Sequence, residues 1–244
     1  MRKFTKTMAA VLSLTMTLTM VTPVFAEGET NTTPAQTTEV VTPTPTPAQP
    51  PKNGLFVNEG KTYCYKNGKL VKNKYGYKVK KNYYRIDKKG VATLVSTAEG
   101  LAGARLDKCG GNLKKAFKWS STKIKYWGSV GKPKKGQNQV EYYATYGFKN
   151  GKGDCYVMAA TFCMMAKVKG LKNVRFVKGS VPQANGKNGA HAWCEIKSGK
   201  TVYVYDPNFA YSFRNNPKAH SGYKFKYGTK GTYKYNKKKT RVSF

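Results

Sequence analysis

Acidic residues are scarce in this chain, which has 11 Asp and Glu against 45 Lys and Arg in 244 residues. The formal charge of +34 favours polyanions as partners, because a strong positive field attracts any polymer of negative charge. Nucleic acid is the usual partner of such a protein, but the chain lacks a recognisable nucleic-acid-binding motif. Histidine occurs only twice, and no metal site or other cofactor is predicted.

Long apolar runs are also missing. No segment approaches the roughly 20 consecutive apolar residues of a membrane-spanning helix. The apolar stretch at residues 8–20 is short, contains several Ser and Thr residues, follows a basic start and precedes the small residue Ala26. This order is typical of a secretory signal peptide over residues 1–26, so we expect a secreted mature chain that begins at Glu27. No cysteine stands at the predicted cleavage site, and a lipid anchor is therefore not indicated.

The positive charge remains after the predicted cleavage. The leader contains Arg2, Lys3 and Lys6, and its removal leaves 42 basic and 11 acidic residues, a formal charge of +31. An exported protein meets the anionic polymers and lipids of a cell envelope rather than nucleic acid. We therefore expect association with anionic polymers of a Gram-positive-type cell wall, and no nucleic-acid partner. A charge that serves only solubility is the alternative.

The number of cysteines is odd. With five in an exported chain, at least one thiol stays unpaired even if the others form disulfides. Isolated cysteines are mostly buried as small hydrophobic residues, which is our interpretation of Cys64, Cys109, Cys163 and Cys194. The remaining cysteine, Cys155, has a different sequence context.

Residues 27–53 consist almost entirely of Thr, Pro, Ala, Gln and Val, and residues 42–47 alternate Thr with Pro. Such a segment cannot form a hydrophobic core and prefers extended polyproline geometry. We expect a disordered, semi-rigid linker between the leader and the folded part.

Residues 54–95 are rich in aromatic and turn-forming residues. Tyr-Cys-Tyr-Lys-Asn-Gly at 63–68 and Tyr-Tyr-Arg-Ile-Asp-Lys-Lys-Gly at 83–90 each predict a strand, a turn and a strand. Their spacing resembles the β-hairpin repeats of bacterial cell-wall-binding and glucan-binding modules, although the Trp that those repeats often carry is missing. The resemblance implies wall or glycan binding. A structural spacer packed on the following domain is the alternative.

A glycine-rich turn at 150–153 leads through Asp154 into Cys155 and the apolar segment 156–166. That segment is apolar nearly all round, which predicts a helix buried on most sides. Asp154 is the expected N-cap, and Gly170 is the expected left-handed residue after the helix. Cys155 then lies in the first turn, where the positive end of the helix dipole favours a thiolate. A core cysteine at a helix start is the alternative.

His191 and Asp206 lie in two strand-like runs separated by Lys-Ser-Gly-Lys. A tight turn centred on Ser198 and Gly199 predicts an antiparallel pair in which His191 lies directly opposite Asp206. The period of two places Trp193 on the same face. Residues opposed in this way are close enough for an imidazole and a carboxylate to form a hydrogen bond.

Three motifs occur in a characteristic order: Gly-Asp-Cys at 153–155 opening a buried helix, Gly-Ala-His-Ala-Trp at 189–193 on a strand, and Tyr-Asp-Pro at 205–207 on the next strand. Together they resemble the catalytic core of the transglutaminase-like superfamily, which is related to papain. The resemblance extends over about residues 101–209. It implies an α+β fold, with the cysteine helix packed on an antiparallel sheet, within a catalytic domain over 96–244.

By position, the resemblance implies Cys155 as the nucleophile and His191 as the base that forms an ion pair with it and then protonates the leaving amine. Asp206 would orient the imidazole. The backbone N–H of Cys155 is the expected first oxyanion donor. The second donor is not identified by the sequence, and four side chains are candidates: Gln137, Gln139, Tyr143 and Tyr146.

Such a site would act on amide bonds of a protein or peptidoglycan-peptide substrate through an acyl-thioenzyme. Water as the acceptor gives a peptidase or amidase, and an amine gives a cross-linking transglutaminase. The loops that admit or exclude water decide between them. The alternative is a non-catalytic cell-wall-binding or glycan-binding surface protein, although such a protein would not need Cys, His and Asp together.

Other parts of the predicted domain have weaker patterns. Helices are predicted over 112–121 and 137–146 from their apolar spacing. Beyond residue 209, the segments 223–227 and 232–235 alternate aromatic residues with lysine. We interpret them as closing or edge strands whose lysines protect the edge, with a sugar-binding or polyanion-binding face as the alternative.

Overall fold

The computed structural model describes residues 49–244. The predicted signal peptide and residues 27–48 of the predicted linker lie outside this part. The described residues form five helices, three antiparallel sheets and one short parallel pair, which confirms the predicted α+β fold class. No helix within residues 49–244 has both the length and the apolar character needed to cross a membrane.

Residues 54–95 form two small three-stranded sheets. Asn67 and Gly68 connect two strands of the first sheet, and both have positive φ angles, 52° and 75°. This is the two-residue turn that an Asn-Gly pair favours, because both residues tolerate left-handed backbone geometry. The strands are β1 (Gly54–Asn58), β2 (Lys61–Lys66) and β3 (Lys69–Leu70) in the first sheet, and β4 (Lys74–Val79), β5 (Asn82–Ile86) and β6 (Ala92–Val95) in the second.

The second sheet packs directly on helix α1 (Thr97–Lys108), a helix that was not predicted from the sequence. A Cβ on Gly103 of this helix would lie 2.2 Å from the backbone oxygen of Tyr75 in β4, so only glycine permits the approach. The helix begins with a capping box, in which the Ser96 hydroxyl accepts from the Glu99 N–H at 3.2 Å. If the second hairpin is a structural spacer packed on the following domain, this close packing is what we expect.

Three more helices follow α1 in this part of the chain. The predicted helix at 112–121 is α2, with Asn112 as its N-cap, and the predicted helix at 137–146 is α3. The buried cysteine helix is α4, which lies in the main hydrophobic core together with the other helices. In chain order the elements are α2 (Leu113–Thr122), β7 (Lys125–Tyr126), α3 (Gln139–Asn150), β8 (Lys152–Gly153) and α4 (Cys155–Val168).

A four-stranded antiparallel sheet covers one side of α4. Ala192 and Cys194 belong to the same core as α4, whereas Trp193 belongs to a second core with Val204 and Phe225 on the opposite face. Its strands are β9 (Val174–Pro182), β10 (Asn188–Ser198), β11 (Thr201–Tyr205) and β12 (Thr240–Val242), and they lie side by side in the order β11-β10-β9-β12. Helix α5 (Pro207–Ser212) follows β11.

The turn between β10 and β11 differs from the predicted one. The loop residues are Gly199 and Lys200, and Ser198 pairs with Thr201. Gly199 has a φ of +57°, and a glycine with positive φ is favoured at the first central position of a two-residue hairpin loop. The predicted centre, Ser198-Gly199, is therefore wrong by one residue.

This shift changes which residues are opposed. The ladder ends at the pair of Cys194 and Tyr205, so Asp206 follows the ladder and does not lie opposite His191. The predicted register is thus wrong by two residues. Because side chains alternate with a period of two, such a shift keeps every residue on its predicted face.

The C-terminal segment from Phe213 to β12 crosses the face of the sheet that is remote from α4. Val204 and Phe225 exchange two backbone hydrogen bonds of 2.7 and 3.0 Å. The predicted strands at 223–227 and 232–235 are otherwise not formed. Phe225, Tyr227 and Tyr235 from these segments belong to the second core instead, because Trp193 and Val204 need an apolar partner on that face.

Candidate active site

Cys155 is the first residue of α4. Strand β8 pairs in parallel with β7 just before it, and the Asp154 carboxylate accepts the Val157 N–H at 3.1 Å, as expected for the N-cap. Any side chain at Gly153 would come within 2.5 Å of Val157, so the chain enters the helix through a glycine. The Cys155 residue is 7 % exposed.

His191 and Asp206 form a buried pair. Nε2 of His191 lies 2.7 Å from Oδ2 of Asp206, and the two residues are 3 % and 0 % exposed. An ionised carboxylate can only accept a hydrogen bond, so Nε2 carries the proton. The other ring nitrogen, Nδ1, is then the one available to Cys155.

The contact between His191 and Asp206 does not arise from direct opposition. Continuing the ladder would place Asp206 opposite Trp193, and His191 lies two residues further along β10. Diagonal neighbours of this kind are within reach of longer side chains. Asp206 is also the N-cap of α5, with its Oδ1 accepting the Phe209 N–H at 2.9 Å. The helix cap therefore directs the carboxylate away from the ladder and toward the imidazole.

Neighbouring groups decide the direction in which the pKa of His191 is shifted. Burial by itself lowers the pKa of His191, but the charge of Asp206 and the hydrogen bond to it act in the opposite direction. Cys155 adds a hydrogen bond and a charge in the same sense, and together these raise the pKa to about 10. The imidazole of His191 thus interacts with both the carboxylate and the thiol.

Tyrosines of the C-terminal segment cover this pair. The Tyr235 hydroxyl donates to Oδ2 of Asp206 at 2.7 Å, and the Tyr233 ring lies edge-on to the imidazole with 5.4 Å between centroids. Burial raises the pKa of Tyr235, and the nearby Asp206 charge raises it further, so its hydroxyl remains a donor. Neither residue was predicted to be part of the site, because the alternation at 232–235 suggested a strand rather than a cover over the site.

A second buried carboxylate fastens the same segment to the sheet. Glu195, on β10, accepts from Arg241 Nε at 2.5 Å and from Nη2 at 3.2 Å. It also accepts from the Tyr227 hydroxyl, which in turn accepts the Trp193 indole N–H at 2.6 Å. The end of the chain is therefore anchored on both sides of Tyr233 and Tyr235.

The four candidates for a second oxyanion donor separate into two pairs. Gln139 and Tyr143 line a pocket together with Asp154, beside Cys155. Gln137 and Tyr146 line a different pocket with residues of α1 and α3. The structure therefore places only Gln139 and Tyr143 near the cysteine, and the Tyr143 hydroxyl already donates to the Gly131 carbonyl at 3.4 Å.

All five cysteines lie in the described part of the chain, and all are buried free thiols. Burial raises the pKa of Cys64, Cys109 and Cys194. Within residues 49–244 there is no cluster of three or more His, Cys, Asp or Glu side chains suited to hold a metal ion. The candidate site consists of the His191 and Asp206 side chains next to the Cys155 thiol.

Comparison with known protein families gives a match over part of the chain. The family model described as the transglutaminase-like superfamily matches residues 95–207. No curated protein matches the chain significantly. The matched range begins at the last residue of β6, includes Cys155, His191 and Asp206, and ends at the first residue of α5. Residues 95–207 of this chain are a transglutaminase-like domain.

Proposed function

We propose that this domain is a cysteine enzyme that opens amide bonds through an acyl-thioenzyme. Cys155 is the nucleophile, His191 is the base and later the acid, and Asp206 orients the imidazole. The observation that carries the proposal is the buried hydrogen bond between His191 and Asp206 beside a thiol at a helix start. Members of this superfamily include cysteine peptidases and acyltransferases, which agrees with that chemistry.

The reaction follows from the positions of the protons. With Nε2–H held by Asp206, Nδ1 takes the thiol proton and leaves an ion pair of thiolate and imidazolium. The thiolate adds to the amide carbonyl, and the backbone N–H groups at the start of α4 face the developing oxyanion. The imidazolium then returns the proton to the leaving amine, and the acyl group stays on the sulfur as a thioester.

Water or a second amine removes the acyl group. Water makes the enzyme a peptidase or amidase, and a primary amine makes it a transglutaminase. Both use the same acyl-thioenzyme, so both are part of the proposal. Tyr233 and Tyr235 cover the site on the side of the sheet and limit the access of water from there. This supports a role for the C-terminal segment in deciding whether water or an amine accepts the acyl group.

We propose further that the protein acts outside the cell, at an anionic cell wall. The apolar leader-like sequence at 1–26 and the charge of +31 after its removal support export and envelope attraction. A non-catalytic wall-binding or glycan-binding protein is the second candidate. The observation that favours it is the first hairpin sheet, which exposes Leu55 and Val57 (36 % and 65 %) on one face and carries the aromatic pair Phe56 and Tyr65 on the other.

A p-nitrophenyl ester of a short N-acylated amino acid tests the enzyme proposal without knowledge of the natural substrate. We expect a burst of p-nitrophenol and a mass increase on Cys155 equal to the acyl group. A fluorescent primary amine added to the reaction then shows whether the acyl group passes to amine or to water. Cys155→Ala should abolish the burst, whereas Cys163→Ala, the matched change within the same helix, should retain it. A burst that survives in Cys155→Ala would contradict the proposal.

A further inference from the structure

A pocket of about 430 Å³ opens beside Cys155. Asp154 and Tyr156, the residues on either side of the cysteine, form part of its wall. Burial raises the pKa of Tyr156, and the charge of Cys155 adds to this effect, so the thiol lies within electrostatic reach of the pocket. Four further lining residues are Ser129, Gly131, Pro133 and Gln139.

Two lysines from separate elements also line this pocket. Lys132 lies in the loop between β7 and α3, and Lys178 lies on β9. None of the ion pairs within residues 49–244 includes either lysine. Two lysines therefore line one cavity, and neither is in an ion pair with a carboxylate.

Both lysines project from anchored backbone. The loop that carries Lys132 is tied to α3 by the Tyr142 hydroxyl, which donates to the Val130 carbonyl at 3.1 Å. The Tyr143 hydroxyl adds a second tie, to the Gly131 carbonyl at 3.4 Å. Lys178 is opposite Ala192 in the ladder, and the next pair joins Gly179 to His191. Both lysines are thus carried by anchored backbone beside the pocket and the reacting groups.

One acidic residue lies in the same wall. The Asp154 carboxylate is already engaged as the cap of α4, where it accepts the Val157 N–H at 3.1 Å. Burial raises the pKa of Asp154, and backbone hydrogen bonds at the start of α4 act in the opposite direction. With two lysines against this one carboxylate, the pocket keeps a positive potential.

We infer that this pocket binds an anionic group of the substrate, so that the enzyme selects peptides with a carboxylate next to the amide that reacts. The inference rests on the proposed function, because the pocket matters only if Cys155 attacks the substrate. An amide bound with its carbonyl at Cys155 places its neighbouring side chain or chain terminus in this cavity. Lys132 and Lys178 then pair with that carboxylate, and Gln139 supplies a neutral polar contact at the same wall.

A pair of electrophiles that differ only in charge tests the inference. Bromoacetyl-glutamic acid α-amide and bromoacetyl-glutamine α-amide both alkylate thiols, and only the first is anionic. We expect Cys155 to react with the glutamic acid reagent roughly 5-fold faster, the factor that an exposed ion pair of about 1 kcal/mol provides. Lys132→Gln and Lys178→Gln should each reduce this ratio toward one.

Lys135→Gln is the matched control, because Lys135 lies in the same loop, carries the same charge and does not line the pocket. It should leave the ratio unchanged. Equal rates for the two reagents, or a loss of the ratio in Lys135→Gln as large as in Lys132→Gln, would overturn the inference and assign the effect to the overall charge. Failure of the proposed function is distinguishable, because Cys155 would then react with neither reagent faster than Cys109 does.

Discussion

The Tyr235 hydroxyl and the Asp206 carboxylate are joined by a 2.7 Å hydrogen bond to Oδ2, the oxygen that also contacts His191. Oδ1 of the same carboxylate accepts the Phe209 N–H. Three donors from three parts of the chain therefore hold Asp206. A carboxylate held in this way fixes the imidazole with Nδ1 available to the thiol. We therefore propose that Tyr235 is a positioning residue that acts through Asp206.

Tyr235→Phe should lower the free energy of unfolding by about 1–3 kcal/mol, since it removes one donor from a buried carboxylate without changing the volume. It should also slow alkylation of Cys155 and shift the pH profile of that reaction, because the imidazole is less well oriented. Tyr233→Phe is the matched control: its ring packs on the same imidazole, and we expect a smaller effect on both measurements. Equal effects in the two variants would show that the tyrosines only fill space.

Asp206→Asn should leave the fold intact and lower turnover on the order of 10³–10⁴-fold, as in the serine-protease example in which loss of the carboxylate leaves the wrong tautomer. The amide can donate to Nε2, which directs the proton to Nδ1 and removes the base that faces the thiol. Circular dichroism and the p-nitrophenyl ester burst measure the two expectations. Turnover close to that of the unmodified protein would exclude an orienting role for Asp206.

The stability of the protein should fall as the pH rises from about 7 to about 9. The pKa of His191 is raised from 6.5 to about 10 in the folded state, so its protonated form stabilises the fold. The stabilisation by protonated His191 is complete below pH 6.5, the pKa of the residue in the unfolded chain, and is lost as the pH approaches 10. Chemical denaturation at several pH values measures the slope. In His191→Gln this part of the slope should disappear, and an unchanged slope would contradict the assignment.

Arg241→Gln should lower the free energy of unfolding by about 1–3 kcal/mol, because Glu195 remains buried and loses two hydrogen bonds from a charged donor. The segment 228–239 should become more sensitive to protease, since its C-terminal anchor is weakened. Glu195→Gln combined with Arg241→Gln should recover part of the loss. Arg214→Gln is the control, because Arg214 bonds only a carbonyl in an exposed position. A loss in Arg214→Gln equal to that in Arg241→Gln would contradict this account.

Retention on anionic cell walls should fall as salt is raised, because a strongly basic protein releases counterions from the polymer when it binds. Elution of the mature protein from purified walls with increasing NaCl measures this. Retention that resists salt and is competed by a sugar or choline would assign binding to the hairpins at 54–95 instead.

The parts of the site that could be predicted from the sequence are those set by local rules. Asp154 caps α4 as expected, and Gly170, with φ +96°, follows its end. The contact of His191 with Asp206 is present although its predicted register is wrong, because the N-cap position of Asp206 brings the carboxylate to the imidazole. A one-residue error in the turn centre was enough to change the register, because Gly199 suits a two-residue loop either as the second residue of Ser198-Gly199 or as the first of Gly199-Lys200.

Other parts depend on tertiary contacts that no local pattern encodes. Tyr235 and Arg241 reach the site from a segment that has almost no regular secondary structure, so periodicity could not place them. Helix α1 was missed because its Ala and Gly residues weaken the apolar spacing. The capping box of Ser96 and Glu99 is visible in the sequence and could have indicated where this helix begins.

Alkylation of the five cysteines by iodoacetamide at about pH 6, measured residue by residue by mass spectrometry, tests the cysteine-enzyme proposal most directly, because free thiols are largely protonated and slow there. Cys109 is the internal control, being 9 % exposed against 7 % for Cys155 and without a histidine partner. We predict that Cys155 reacts first, and that His191→Gln slows it to the rate of Cys109. Equal labelling of Cys155 and Cys109 in the unmodified protein would contradict the proposal that Cys155 is the nucleophile.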